Sequence, residues 1–371
     1  MILIGTSFGF CFALLIVGDW WIAKSINSAI WEQEYFKEAR LIETKRQRDE
    51  DIAQIEKLIS KGYLPTLFPS LMDALVVHYP LIAGLPLTKT FYCNEGYGVV
   101  SYTSDRFGFR NDDEIWNDDI EAIMIGDSFV HGACVSDEDT LPQKLSKKIS
   151  SHVINLGMGS TNPSHYVTYS YLFIPKLKPQ IVYLNFYAND NGFKSKSIIE
   201  QKYVDQNIEI FSKNDLALSE FSFVRDEGIR AISFLKNGQS ITEQRGLLLR
   251  IYSNLIKHSR LPTIQSVLNI GDIAFEQTKK SITKTLELCS KFDCKVIVSF
   301  IPNSEYWRPD SRADSYAEKI AQLTSRLDIP FVDGRSIINR KKGSRDFAIK
   351  GPHLSPLGYE KMAEAIAEIS Q

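Results

Sequence analysis

Ala122-Ile123-Met124-Ile125 runs directly into Gly126-Asp127-Ser128-Phe129-Val130-His131-Gly132. Four consecutive apolar residues before a glycine read as a buried strand, and the residues after it as a turn into a helix. A strand that ends in Gly-Asp-Ser presents a serine hydroxyl at the carboxyl edge of a sheet, where open α/β sheets bind ligands. Serine becomes a useful nucleophile only beside a base and near donors that stabilise an oxyanion. Both must come from elsewhere in the chain.

The surrounding pattern is strand and helix in alternation from about residue 119. Strands are predicted at 121–126, 152–156, 180–187, 295–301 and 329–332. Helices are predicted near 139–150, 163–176, 274–292, 312–327 and 356–369. Such alternation implies a parallel sheet covered by helices. Residues 195–270 break the rhythm and read as an insertion of short helices and loops, a lid or a substrate wall.

Upstream, residues 1–18 carry no charge, and after Asp19 the run Trp20-Trp21-Ile22-Ala23 extends the apolar stretch to Lys24. About 20 such residues suffice to cross a bilayer as a helix, and the tryptophan pair suits an interfacial belt. No positive n-region precedes the run, so an uncleaved single-pass anchor over 1–23 is expected rather than a signal peptide. Lys24, Lys37 and Arg40 follow the span and no Lys or Arg precedes it, which by the positive-inside rule places the domain in the cytoplasm. That rule weakens for long domains, and the expectation adopted is an extracytoplasmic catalytic domain. Residues 24–64 form a charged stalk, with Ile52, Ile55, Leu58 and Ile59 at helical spacing and an end near Gly62. A lead-in segment over 65–118, broken by Pro65, Pro69, Pro80 and Pro86, joins the stalk to the domain at 119–371.

The chain of 371 residues has 44% hydrophobic and 24% charged residues and a net charge of −2. It is long enough for a large core, and without a basic face it is not expected to bind nucleic acid. Its 5 cysteines show no zinc spacing and no dense disulfide framework. Cys289 and Cys294 are placed either to pair across a helix-to-strand turn or to stand as buried thiols. No His/Cys/Asp cluster has metal-ligand spacing, so neither a metal nor a cofactor is expected.

Three further segments complete a constellation with Ser128. Asn155-Leu156-Gly157-Met158-Gly159-Ser160-Thr161-Asn162-Pro163 is a glycine-containing turn after the second strand. Ala188-Asn189-Asp190-Asn191 follows the third. His353-Leu354-Ser355-Pro356-Leu357-Gly358-Tyr359 opens the last helix, with Ser355 as N-cap and Pro356 in the first turn. Acyl-transfer chemistry needs these parts. Ser128 attacks a carbonyl, His353 takes and returns the proton, and Ser128 N–H, a backbone N–H of the 157–160 turn and the Asn189 amide bind the oxyanion. Asp127, His131 and His165 read as structural, His78, His152 and His258 have no partner pattern, and Arg110 reads as an ion-pair partner.

These four blocks, in order, resemble the GDSL or SGNH hydrolase superfamily over roughly residues 98–193 and 285–369. The resemblance implies a flavodoxin-like three-layer α/β/α sandwich, with Ser128, Gly159, Asn189 and His353 as the catalytic set. It also implies an esterase, with an O-acyl ester of a glycan or lipid, an O-acetyl group among them, as the substrate class. Two departures stand out. Many relatives have the second-block glycine five residues after the asparagine, a place held here by Ser160, so either Gly159 or Ser160 supplies the N–H. The family usually carries an aspartate three residues before the histidine, and here that place is Lys350, which cannot accept an imidazole N–H. The orienting group is then a backbone carbonyl or a carboxylate such as Asp346 or Asp333. The alternatives are an O-acyltransferase using the same acyl-enzyme and a catalytically silent binding or scaffolding subunit of an envelope assembly.

Overall fold

The computed structural model describes residues 51, 53–66, 68–69, 82–118, 120–191, 270–310 and 312–371. The expected anchor at 1–23, most of the stalk and nearly all of the 195–270 insertion lie outside the described residues. Among the described residues no helix is long and apolar enough to cross a membrane. By chain contacts the protein divides into two units; one comprises Met1–Asp49 with Ser240–Ile273, and the other holds the described residues apart from Ile270–Ile273.

That second unit is built on a five-stranded parallel sheet. Its strands are β4 (Ala122–Gly126), β5 (Val153–Gly157), β6 (Ile181–Tyr187), β7 (Lys295–Ile301) and β8 (Phe331–Asp333), in spatial order β5-β4-β6-β7-β8. Each lies within two residues of its predicted bounds. This is the 2-1-3-4-5 order of flavodoxin-like sheets, in which the direction of winding reverses between the first and third strands. The reversal falls between β4 and β6, which pair in register from Ala122 with Ile181 to Ile125 with Leu184. Every residue of β4 and β5 is buried, as expected of strands covered on both faces.

The helices are α1 (Ser128–His131), α2 (Leu141–Ile149), α3 (Pro163–Leu177), α4 (Ile270–Phe292), α5 (Ala313–Arg326) and α6 (Pro356–Ser370). Right-handed crossovers put a helix on opposite faces according to the direction of winding. Thus α2 lies beside α6, joined at the surface by Lys148 and Glu360 at 2.6 Å. The second layer is stitched by buried hydroxyls, Ser170 of α3 to Thr285 of α4 at 2.8 Å and Thr278 of α4 to Tyr316 of α5 at 2.6 Å.

The lead-in segment forms a separate small sheet of β1 (Leu64–Pro65), β2 (Lys89–Phe91) and β3 (Ser101–Thr103). A helical segment at 53–60 ends before Gly62, whose φ of +83° marks the expected stop. Arg110 is buried and bonds the carbonyls of Gly132 and Val135 and the Asp137 carboxylate, the structural role expected of it. Cys289 and Cys294 are joined as a disulfide, and so are Cys93 and Cys134, a pairing across 41 residues that spacing did not suggest.

Candidate active site

The turn from Gly126 to Gly132 is shaped by packing at its glycines. A Cβ on Gly126 would lie 2.4 Å from Val130 Cγ2, so only glycine lets α1 fold back over the strand end. Asp127 caps α1 by accepting the Phe129 N–H at 3.0 Å, and Gly132 closes it in the left-handed region at φ +78°. Ser128 is the first helical residue and stays half-buried at the carboxyl edge of β4. Its hydroxyl lies 2.9 Å from His353 Nε2.

His353 closes a short hairpin. Its carbonyl accepts the Ala348 N–H at 2.8 Å, Phe347 bridges Leu354, and Ser355 then caps α6 by accepting the Gly358 N–H at 3.0 Å. The Phe129 ring, centred 4.8 Å from the imidazole, covers one side of it. The distal nitrogen, Nδ1, lies 2.7 Å from Glu95 Oε1, and the His353 backbone N–H donates to Glu95 Oε2 at 3.0 Å. A carboxylate only accepts, so Nδ1 carries the proton and Nε2 presents its lone pair to Ser128.

Glu95 belongs to the lead-in segment, and the chain holds its loop in several ways. Asn94 Oδ1 accepts the N–H groups of Gly96, Tyr97 and Gly98 at 2.8, 3.1 and 3.0 Å. The Glu95 carbonyl accepts the Lys350 N–H at 2.9 Å, and Cys93 is bonded to Cys134, two residues beyond α1's closing glycine. A Cβ on Gly351 would fall 1.8 Å from Glu95 Cδ. The sequence Lys350-Gly351-Pro352 therefore leaves the space that Glu95 fills.

Neither carboxylate named from the sequence orients His353. Asp346 is buried beneath α6, bonding Lys361 Nζ at 2.8 Å and the Asn339 N–H at 2.8 Å. Asp333 caps the 3-10 turn after β8 and grips Arg335 at 2.7 Å. Both stand close to His353 in sequence but face other partners. Sequence reasoning looked near the histidine and missed an acid 258 residues upstream.

The turn after β5 sorts its two candidates by elimination. Gly157 N–H donates to Asn155 Oδ1 at 2.8 Å, Met158 N–H to the Gly126 carbonyl at 3.2 Å, Gly159 N–H to His131 Nδ1 at 3.3 Å and Thr161 N–H to the Met158 carbonyl at 3.3 Å. Of the N–H groups from Gly157 to Thr161, only that of Ser160 has no partner among the described residues. Of the two candidates, Gly159 has its N–H engaged by His131 and Ser160 has its N–H free. Ser160 is exposed at φ +63°, the left-handed region that favours glycine. Gly159 is needed for space, since a Cβ there would meet Phe68 at 2.5 Å and the Tyr92 hydroxyl at 2.6 Å.

Asn189 stands in the 3-10 turn Ala188–Asn191 at the end of β6, across the switch point from Ser128, with its Oδ1 buried and unbonded. Asp190 holds that turn by accepting the Tyr187 N–H at 2.9 Å and the Tyr166 hydroxyl at 3.1 Å. His131 and His165 are fully buried, whereas His152 is exposed. His78 and His258 lie outside the described residues. Among the described residues one group has the spacing of metal ligands, Glu95, Cys134 and His353 within 4.8 Å. The Cys134 sulfur is part of a disulfide and offers no thiolate.

Serine, imidazole and carboxylate thus form a continuous hydrogen-bonded line, with unpartnered N–H groups nearby on the same sheet edge. Such a line can deprotonate a hydroxyl as it attacks and hold the resulting imidazolium against a fixed negative charge.

No family model matches the chain, and no curated protein matches it. Several solved structures do. A protein assigned to the G-D-S-L lipolytic family from Desulfitobacterium hafniense matches at 14% identity and a TM-score of 0.40, over 67% of this chain and 98% of the other. The lipase/acylhydrolase from Enterococcus faecalis matches at 14% identity and a TM-score of 0.37, over 67% and 94%. A GDSL-like lipase from Bacteroides thetaiotaomicron matches at 12% identity and a TM-score of 0.36, over 67% and 87%. The matching structures include proteins described as a G-D-S-L family member, a GDSL-like lipase and an SGNH hydrolase.

Proposed function

We propose that the chain is a serine esterase working through Ser128, His353 and Glu95. The observation that carries this reading is the line Ser128 Oγ to His353 Nε2 at 2.9 Å and His353 Nδ1 to Glu95 Oε1 at 2.7 Å. In the first half-reaction Ser128 Oγ bonds the acyl carbon while His353 Nε2 takes the hydroxyl proton. The carbonyl oxygen becomes an oxyanion facing the Ser128 N–H, the Ser160 N–H and the Asn189 amide. Collapse breaks the ester C–O bond, and the departing alkoxide takes the proton from His353. Water, deprotonated by His353, then attacks the acyl carbon, the Ser128 Oγ–carbon bond breaks, Oγ takes the proton back from His353, and the acid leaves. The substrate class is an O-acyl ester of a glycan or a lipid, O-acetyl included.

A sugar hydroxyl in place of that water would make the same site an O-acyltransferase. The reading as a silent scaffold rested on Lys350 and Ser160; Glu95 supplies the carboxylate that Lys350 lacks, and the backbone N–H of Ser160 is free to donate. Two disulfides suit an oxidising compartment. They favour a catalytic domain on the extracytoplasmic side of a membrane reached through residues 1–23.

A fluorophosphonate probe tests the nucleophile. Wild-type protein is expected to be labelled and to hydrolyse short-chain aryl esters, and folded Ser128→Ala to do neither. Labelling that persists in Ser128→Ala, or an unlabelled folded wild type, overturns the reading. Product analysis with a glycan acceptor present and absent then separates hydrolysis from transfer.

A further inference from the structure

His131 lies on the nucleophile helix, three residues beyond Ser128, and is fully buried. Its Nδ1 accepts the Gly159 N–H at 3.3 Å and its Nε2 lies 2.6 Å from the Tyr102 hydroxyl. Only one tautomer fits. A proton on Nδ1 would face the Gly159 N–H donor to donor, so the proton is on Nε2 and is donated to Tyr102 Oη. Tyr92 stacks on the ring with centroids 4.8 Å apart, and Tyr102 meets it edge-on at 5.5 Å. Burial, helped by the nearby Arg110 and His353, holds the imidazole well below its ordinary pKa and therefore neutral.

We propose that His131 is a positioning residue that sets the oxyanion site, by fixing the Met158–Gly159 peptide, directly before the residue that carries the Ser160 N–H, against the helix that carries Ser128. This rests on the esterase reading. The two backbone donors assigned to the oxyanion, on Ser128 and Ser160, sit on separate elements, and their separation decides whether both reach one oxygen atom. Two contacts set that spacing. Backbone approach is the first, since a Cβ on Gly157 would meet the His131 backbone nitrogen at 2.3 Å. The Gly159 N–H to Nδ1 bond is the second, and it also turns the Gly159 donor away so that Ser160 supplies the oxyanion contact. Gly-Asp-Ser thus extends functionally to His131, through a side chain that never touches the substrate.

Asparagine and glutamine separate the two ring nitrogens. Asparagine places its amide oxygen near the position of Nδ1 and can still accept from Gly159, whereas glutamine reaches toward the position of Nε2 and Tyr102. For aryl ester hydrolysis, His131→Gln is expected to lower kcat by about 10- to 100-fold with KM within about threefold, the pattern of a weakened transition-state contact. His131→Asn is expected to keep kcat within about fivefold. Equal kcat in the two variants, or a loss carried by KM alone, overturns the proposal. Nitrogen NMR of the wild-type imidazole gives a readout independent of turnover: the Nε2–H tautomer is expected, and the Nδ1–H tautomer refutes it. Failure of the esterase reading looks different, since the wild type itself then shows no Ser128-dependent turnover.

Discussion

Glu95→Gln removes one charge and keeps the shape of the side chain, so its effect isolates what the carboxylate does for His353. The carboxylate has two receptors to serve, the His353 backbone N–H at 3.0 Å and Nδ1–H at 2.7 Å, and both donate. Glutamine has a single oxygen. The backbone N–H cannot change its role, so it claims the amide oxygen and leaves the amide NH2 facing Nδ1. The imidazole then favours the tautomer with Nδ1 bare and the proton on Nε2, where it can no longer accept the Ser128 proton. A tautomer error behind a catalytic histidine costs about ten-thousandfold in kcat where it has been measured. Loss of the negative charge beside the imidazolium acts in the same direction. A fall of about 10³- to 10⁴-fold in kcat/KM is expected, equivalent to about 4–5.5 kcal/mol of transition-state stabilisation. The assay is hydrolysis of a short-chain aryl ester with the folded fraction checked by circular dichroism, and Asp346→Asn and Asp333→Asn serve as controls. Those two are expected to lose stability through their broken caps and ion pairs while keeping kcat within about tenfold. Glu95→Gln within tenfold of wild type, or Asp346→Asn as damaged as Glu95→Gln, would refute the assignment.

Gly351→Ala places a methyl 1.8 Å from Glu95 Cδ. The carboxylate must move, so kcat is expected to fall at least about tenfold with a stability loss of about 1–3 kcal/mol, read by ester turnover and urea unfolding. The disulfides should differ from each other. Cys93–Cys134 spans 41 residues and stabilises by about 4 kcal/mol on chain entropy, whereas Cys289–Cys294 spans 5 and gives about 2 kcal/mol. Cys93→Ser with Cys134→Ser is expected to lose both stability and turnover because the Glu95 loop is released, while Cys289→Ser with Cys294→Ser loses stability alone.

Much of the scaffold was legible because it follows from local periodicity. Ile181–Tyr187 and Lys295–Ile301 announce themselves as buried strands by apolar runs interrupted inside only by Asn185 and Ser299, and Pro163 and Pro356 mark helix starts since their missing N–H costs nothing in the first turn. Ser128, Asn189 and His353 were legible for a related reason. Each sits at the end of an element, and the topology of a parallel sheet sends such ends to one edge. The order of Gly159 and Ser160 was not, because it depends on where one N–H points. That direction is set by His131, from a different element.

Glu95 was out of reach for a deeper reason. It is one of the acids in a chain with 45 Asp and Glu residues, within a segment that read only as a lead-in. Its signals are visible in hindsight: Asn94 ahead of two nearby glycines, Cys93 beside it, and a glycine at 351 where the histidine loop needs room. Spacing cannot bring residue 95 to residue 353. The alternating elements, and the placing of Ser128 and His353 at element ends, could be read from the chain, since local pattern and chain order specify those. The contact of Glu95 with His353 and the free N–H of Ser160 came only with the tertiary structure. Hydrogen bonds of about 3 Å are made across contacts hundreds of residues apart, and no period in the chain encodes them.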